Sequence, residues 1–192
     1  MCHKYYFLTN IYKNNIIITG DIKMKKQLFF CLLVILFVQN NNGQTIGDLY
    51  IEENTGFSIN IPQDWLISNI GPGFVVSEQG RGFRSNINIL NQEYSRPVSD
   101  RIDELILEFS QDDANLDLVN RAYFTTISGI EGECITFQYL MRQIGRVRVK
   151  LYIFPNKSAT EIMLIACTVL IINGEKYDSL FDDCLKTFNW ER

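Results

Sequence analysis

Three consecutive segments between Glu133 and Leu170 constrain the fold of this 192-residue chain more than any other feature. In Glu133–Arg142, Ile135, Phe137, Tyr139 and Met141 share one face; in Arg146–Phe154, Val147, Val149, Leu151 and Ile153 do. A period of two puts successive side chains on opposite faces of a strand. Gln143-Ile144-Gly145 and Pro155-Asn156-Lys157-Ser158 are short, turn-forming connections, so the strands form an antiparallel meander. Glu161–Leu170 is apolar on both faces, the pattern of a central strand covered on each side.

Upstream, Leu49–Glu53 and Gly56–Ile61 also alternate and read as a strand or hairpin. Pro62-Gln63-Asp64-Trp65 ends it, with Trp65 free to fold back onto the sheet. Gly71-Pro72-Gly73 is a turn before a short strand, Phe74–Val76. Gly80-Arg81-Gly82 leads into another strand, Ile87–Leu90. Both glycine-rich tips precede strands rather than helices, so they read as turns and not as phosphate cradles. Val98, Ile102, Leu105, Ile106 and Phe109 recur at helical spacing; Ser99 is the expected N-cap, and Asp100, Asp103 and Glu104 favour the positive end of the helix. Leu116–Ile127 is extended, with an irregularity expected near Arg121. Glu175–Phe188 forms a closing amphipathic helix, with Trp190 tucked under its end. Seven or so strands with these two helices predict an α+β fold: a mainly antiparallel sheet of about six to seven strands sandwiched with helices.

The amino-terminal part has a different logic. Lys25 and Lys26 follow Met24, Leu28–Val38 is apolar and uncharged, and Gln39–Gln44 is polar with Gly43 near its end. Basic, apolar and small-residue zones in that order make a secretory signal peptide over residues 24–43, too short for a membrane span of about 20 residues. Residues 1–23 read as a non-native upstream extension, with Met24 as initiator. The working domain is then 46–192, secreted or periplasmic. A retained N-terminal anchor is the alternative, because Asn41 and Gly43 are not an Ala-x-Ala cleavage site.

Export changes the chemistry available. Removing residues 1–43 takes away Lys4, Lys13, Lys23, Lys25, Lys26 and Asp21, leaving 13 basic and 21 acidic groups, a net charge of −8. An acidic domain is a poor match for nucleic acid. The only histidine, His3, leaves with the leader, and with it Ser-His-Asp, Cys-His and histidine-metal chemistry. The expectation is a domain that is not an enzyme and holds no cofactor and no metal. Cys134, Cys167 and Cys184 remain, an odd number without a recognised framework, and Cys184 sits on the apolar face of the closing helix. Buried free thiols are the first reading, and a Cys134–Cys167 bridge the alternative.

The order of elements resembles the PsbP-like fold, shared by PsbP and DcrB-like bacterial exported proteins of unknown function. The residues that carry the resemblance are Gly56-Phe57-Ser58-Ile59-Asn60-Ile61-Pro62-Gln63-Asp64-Trp65, similar to the group's opening strand followed by Pro-x-x-Trp. The helix near Ser99, the meander from Glu133 and the Phe181–Phe188 helix support it. The resemblance implies an accessory or binding role without catalysis and carries over no functional residue.

Two groups of residues are candidate sites. Arg142, Arg146, Arg148 and Lys150 form a basic stripe suited to an anionic partner, with pairing to nearby carboxylates as the plainer reading. Trp65, Phe109, Phe137 and Tyr139 are candidates to line a pocket for a small hydrophobic ligand, with core packing as their plainer reading. Asp112-Asp113, Asp182-Asp183 and Glu131/Glu133 are carboxylate pairs read as solvated. The expected function is that of an exported, non-enzymatic binding or accessory protein, with a small hydrophobic-ligand carrier as the alternative. The expected partner is an envelope protein or small ligand, with no nucleic acid and no integral membrane domain beyond the signal segment.

Overall fold

A computed structural model describes residues 46–53, 55–70, 73–112 and 116–191. The upstream extension and signal peptide assigned to residues 1–43 lie outside the described residues. In chain order the elements are β1 (Ile46–Glu52), β2 (Phe57–Pro62), β3 (Leu66–Ile70), β4 (Gly73–Ser77) and β5 (Asn86–Glu93). Then come α1 (Val98–Asp112), β6 (Asp117–Thr125), β7 (Glu131–Met141), β8 (Gly145–Pro155), β9 (Glu161–Leu170), α2 (Gly174–Lys186) and β10 (Asn189–Trp190).

The meander is where the alternation put it. β7, β8 and β9 pair antiparallel in continuous register, from Glu133 opposite Ile153 to Tyr139 opposite Val147 and from Lys150 opposite Cys167 to Ile153 opposite Leu164. They belong to a seven-stranded sheet of order β3-β4-β5-β9-β8-β7-β6, with β9 in the middle. That position explains why Glu161–Leu170 is apolar on both faces. Every neighbouring pair is antiparallel, so β5 and β6, with three strands between them, run parallel. The chain between them crosses one face of the sheet as α1. Ile102 and Leu105 of that helix, both fully buried, pack on Ile135, Phe137, Val149, Leu151, Ile153, Ile162 and Leu164.

The opposite face carries α2 and a three-stranded sheet of order β1-β2-β10. Phe57, Ile59, Tyr177, Leu180, Phe181, Cys184, Leu185 and Phe188 meet Ile87, Ile89, Tyr152, Phe154, Met163 and Ile165 there. Gly132 is required by this layer: a Cβ would lie 2.3 Å from the Ile153 carbonyl oxygen and 2.6 Å from the Phe154 ring. Without a side chain at 132, the Phe124 ring opposite it reaches Tyr152 at a centroid distance of 5.0 Å. Trp190, 5% exposed, closes the layer by donating its indole N–H to the Pro155 carbonyl at 2.9 Å.

Two details differ from the sequence reading. Leu66–Ile70 is a strand that no alternation announced, because it is a sheet edge whose Leu66, Ile67, Ser68 and Asn69 are all exposed. Ser99 lies inside α1, which already starts at Val98, so it is not the N-cap. The irregularity expected near Arg121 is present, as a register shift between Leu118 and Asn120.

Candidate functional site

Arg146, Arg148 and Lys150 share the β8 face that looks towards α2. Two residues along a strand advance about 6.7 Å, and four along a helix about 6 Å. Asp178 and Asp182, four apart on α2, therefore come level with Arg148 and Lys150. Arg148 meets Asp178 at 2.7 Å, and the Lys150 ammonium meets Asp182 at 2.5 Å. The Tyr152 hydroxyl donates to the same Asp182 carboxylate. Lys150 is only 12% exposed, so this is a seam between sheet and helix and not a solvated stripe. The outer members differ. Arg146 pairs with Asp117 while both stay half-exposed, and Arg142 is exposed beside the β7–β8 turn.

The sequence reading missed the seam's acidic half. Asp182 and Asp183 read in sequence as a solvated pair, but only Asp183 faces outward, where it meets Lys186 at 3.2 Å. Glu133 is likewise engaged: Arg121 donates to it at 2.8 Å and to Asp103 of α1 at 2.7 Å, tying β6 and β7 to that helix. The legible signal was the matched spacing, two acids four apart on a helix against two cations two apart on a strand.

Beneath the seam lie Cys134, Cys167 and Cys184, all buried and all free. Cys134 and Cys167 sit on β7 and β9 with β8 between them. Two inter-strand steps are about 9.6 Å, beyond the Cα separation of about 7 Å that a disulfide tolerates. The alternative bridge is therefore not formed. Burial pushes the Cys134 thiol up to about 12. Burial, then the Asp183 carboxylate, does the same to Cys184. Burial raises Cys167 well above its ordinary value, and raises Tyr152. These groups stay protonated at neutral pH, and a protonated thiol is a poor nucleophile.

The four candidate pocket residues are not brought together. Phe109, Phe137 and Tyr139 pack on the α1 face, with ring centroids 4.8 Å apart for Phe109 and Phe137 and 6.2 Å for Phe137 and Tyr139. Trp65 belongs to the opposite layer, against Tyr177 at 6.4 Å and Phe181 at 6.3 Å. The sheet itself separates them. A cleft of about 400 Å³ lies elsewhere, lined by Glu93, Tyr94, Ser95, Thr160 and Glu161, and its lining is polar rather than apolar. Glu93 and Glu161 stand directly opposite across the β5–β9 pair. Among the described residues no group of three or more His, Cys, Asp or Glu is placed to hold a metal ion. None of their helices is long and apolar enough to cross a membrane.

This arrangement is the PsbP-like fold. Cyanobacterial PsbP (CyanoP) from Synechocystis sp. PCC 6803 is similar at a TM-score of 0.56 and 16% identity, over 79% of this chain and 98% of that one. The Saccharomyces cerevisiae Ran-binding protein Mog1p is similar at 0.56 and 9% identity, over 76% and 96%. A Pseudomonas aeruginosa protein of unknown function, PA94, is similar at 0.51 and 12% identity, over 74% and 96%. No family model matches the sequence, and no match is found among curated proteins.

Proposed function

We propose that this chain is an exported, non-enzymatic accessory protein that binds a partner through its surface. One observation carries the reading: both faces of the seven-stranded sheet are filled by interlocked side chains, with Phe57, Phe137, Phe154 and Phe181 at 0–2% exposure. An interior packed in this way offers recognition at its exterior. The exposed end of the basic stripe, Arg142 and Arg146, is the part of it left to meet an anionic partner in the envelope. Mog1p, a protein of the same fold, is a Ran-binding protein, and the fold likeness supports a binding role without naming this chain's partner. Export rests on the apolar run after Lys25 and Lys26.

Native mass spectrometry of the protein recovered from cells expressing the full chain tests both parts. The expected protomer begins near Gln44 and carries no apolar small molecule. A stoichiometric lipid-like adduct would overturn the surface reading in favour of the carrier. An intact amino terminus on protein confined to the cytoplasm would overturn export.

A further inference from the structure

The seven-stranded sheet ends on two unlike edges. β3 is five residues long, whereas β6 has nine, with every residue except Phe124 exposed. Tyr123 is 90% exposed, Leu118 48% and Val119 47%. A long open edge carrying apolar side chains is a template for another strand. One protective device is present: the register shift between Leu118 and Asn120 bends the amino end. Beyond it, Asn120–Thr125 keeps unbroken register with β7, from Asn120 opposite Thr136 to Thr125 opposite Glu131, and no other described strand pairs with its outer side.

We propose that Asn120–Thr125 is a self-association edge, at which a second copy of this chain adds its own β6 antiparallel about a two-fold axis. Such an interface is isologous, so the register decides whether the strand suits itself. Opposed residues in an antiparallel pair share a face, so the axis passes through a residue. Centred on Arg121, two guanidiniums face each other, which is repulsive. Centred on Tyr123, the two rings face each other once, but each Arg121 opposes a Thr125 and gains no partner. Centred on Ala122, the small residue lies on the axis and each Arg121 opposes the partner subunit's Tyr123, once on either side. A guanidinium against an exposed phenol ring is favourable, and Arg suits this geometry better than Lys. Arg121 is already held by Asp103 and Glu133, at 2.7 and 2.8 Å, so little side-chain freedom remains to be lost on association. Tyr123 is the ring that the monomer leaves open. The complementary pair lies on one short strand, which is why the occupant is a second copy.

A six-residue strand pair is a small interface, so the dissociation constant is expected to be about micromolar. Analytical ultracentrifugation of the protein recovered from cells expressing the full chain, with its protomer mass read under denaturing conditions, tests this. The expected result is a monomer–dimer equilibrium in which amide exchange over Asn120–Thr125 slows as concentration rises. Tyr123→Lys places a cation against Arg121 and should weaken association at least about tenfold, while Tyr123→Phe, which keeps the ring, leaves it unchanged. Tyr123 is almost fully exposed, so both variants keep the wild-type melting temperature. A monomer at every concentration up to the order of 100 μM, or a dimer that survives Tyr123→Lys undiminished, overturns the proposal.

Discussion

The two ends of the basic stripe on β8 carry the same kind of residue and use it oppositely. At the inner end, Lys150 and Tyr152 lie under α2 and share the Asp182 carboxylate above three buried thiols. At the outer end, Arg146 and its partner Asp117 remain in water, at 47% and 60% side-chain exposure. An ion pair in water gains little, because solvent screens the attraction and two long side chains lose freedom. A pair taken out of water is different. Its net worth is modest while intact, but removing one member strands the other, at about 3–5 kcal/mol for a fully buried pair. Position along one strand thus converts a single basic stripe into a structural latch and an exposed charge.

The largest predicted effect comes from the thiols at the latched end. Their folded-state values are raised, so the protonated form is the one the fold stabilises. Full stability is present below the ordinary thiol value of 9.0 and is lost as pH rises towards about 12, where Cys134 and Cys184 would ionise in the folded state. Through that window each such thiol costs about 1.4 kcal/mol per pH unit. Urea melts at pH 8, 9 and 10 should show this steepening loss, and Cys134→Ala should reduce the slope. A flat alkaline profile would mean that the thiols reach solvent. In the same experiment a thiol reagent at pH 8 should label the native protein negligibly and the unfolded chain fully.

Next in size is the latch itself. Lys150→Glu places a second carboxylate against Asp182 and should cost about 3–5 kcal/mol, read as a shift of the urea midpoint at constant slope. Lys150→Met keeps the stem but leaves Asp182 with only Tyr152 and should fall below that range. Arg148→Ala comes third. Its pair with Asp178 is 24% exposed on both sides, so the loss should be about 1–2 kcal/mol. If Arg148→Ala cost more than Lys150→Glu, the gradient of burial along β8 would not be what sets the energetics.

How much of this was legible beforehand follows from the range of each interaction. The β7–β9 meander and both helices showed plainly, because periodicity is local and the turns at Gln143–Gly145 and Pro155–Ser158 are short. β3 did not, because an exposed edge strand is held by backbone pairing and its Leu66-Ile67-Ser68-Asn69 need no alternation. The basic stripe was visible as a stripe, but its division was not. The acids that neutralise Arg148 and Lys150 lie 30 and 32 positions away on a helix, and their arrival depends on how α2 docks. The same limit split the pocket candidates: nothing local to Trp65 says which side of the sheet it covers, and it covers the side opposite to Phe109 and Phe137.

The smallest effect on stability is also the sharpest test of the contrast between the ends. Arg146→Glu puts two carboxylates near each other at Asp117, yet both side chains are about half in water, where like charges repel weakly. The expected change is within about 0.5 kcal/mol, an order of magnitude below the Lys150→Glu effect four residues further along the same face of β8. Capture of an anionic envelope partner from cells, however, should be lost in Arg146→Glu and in Arg142→Glu. It should persist in Arg148→Ala at a temperature where that variant stays folded, because Arg148 is turned into the seam. A charge reversal at 146 that left capture intact would remove the outer end from the binding surface while leaving the latch untouched. Unchanged capture with a large loss of stability would mean instead that the outer end is a second latch, and that the whole stripe holds the fold together.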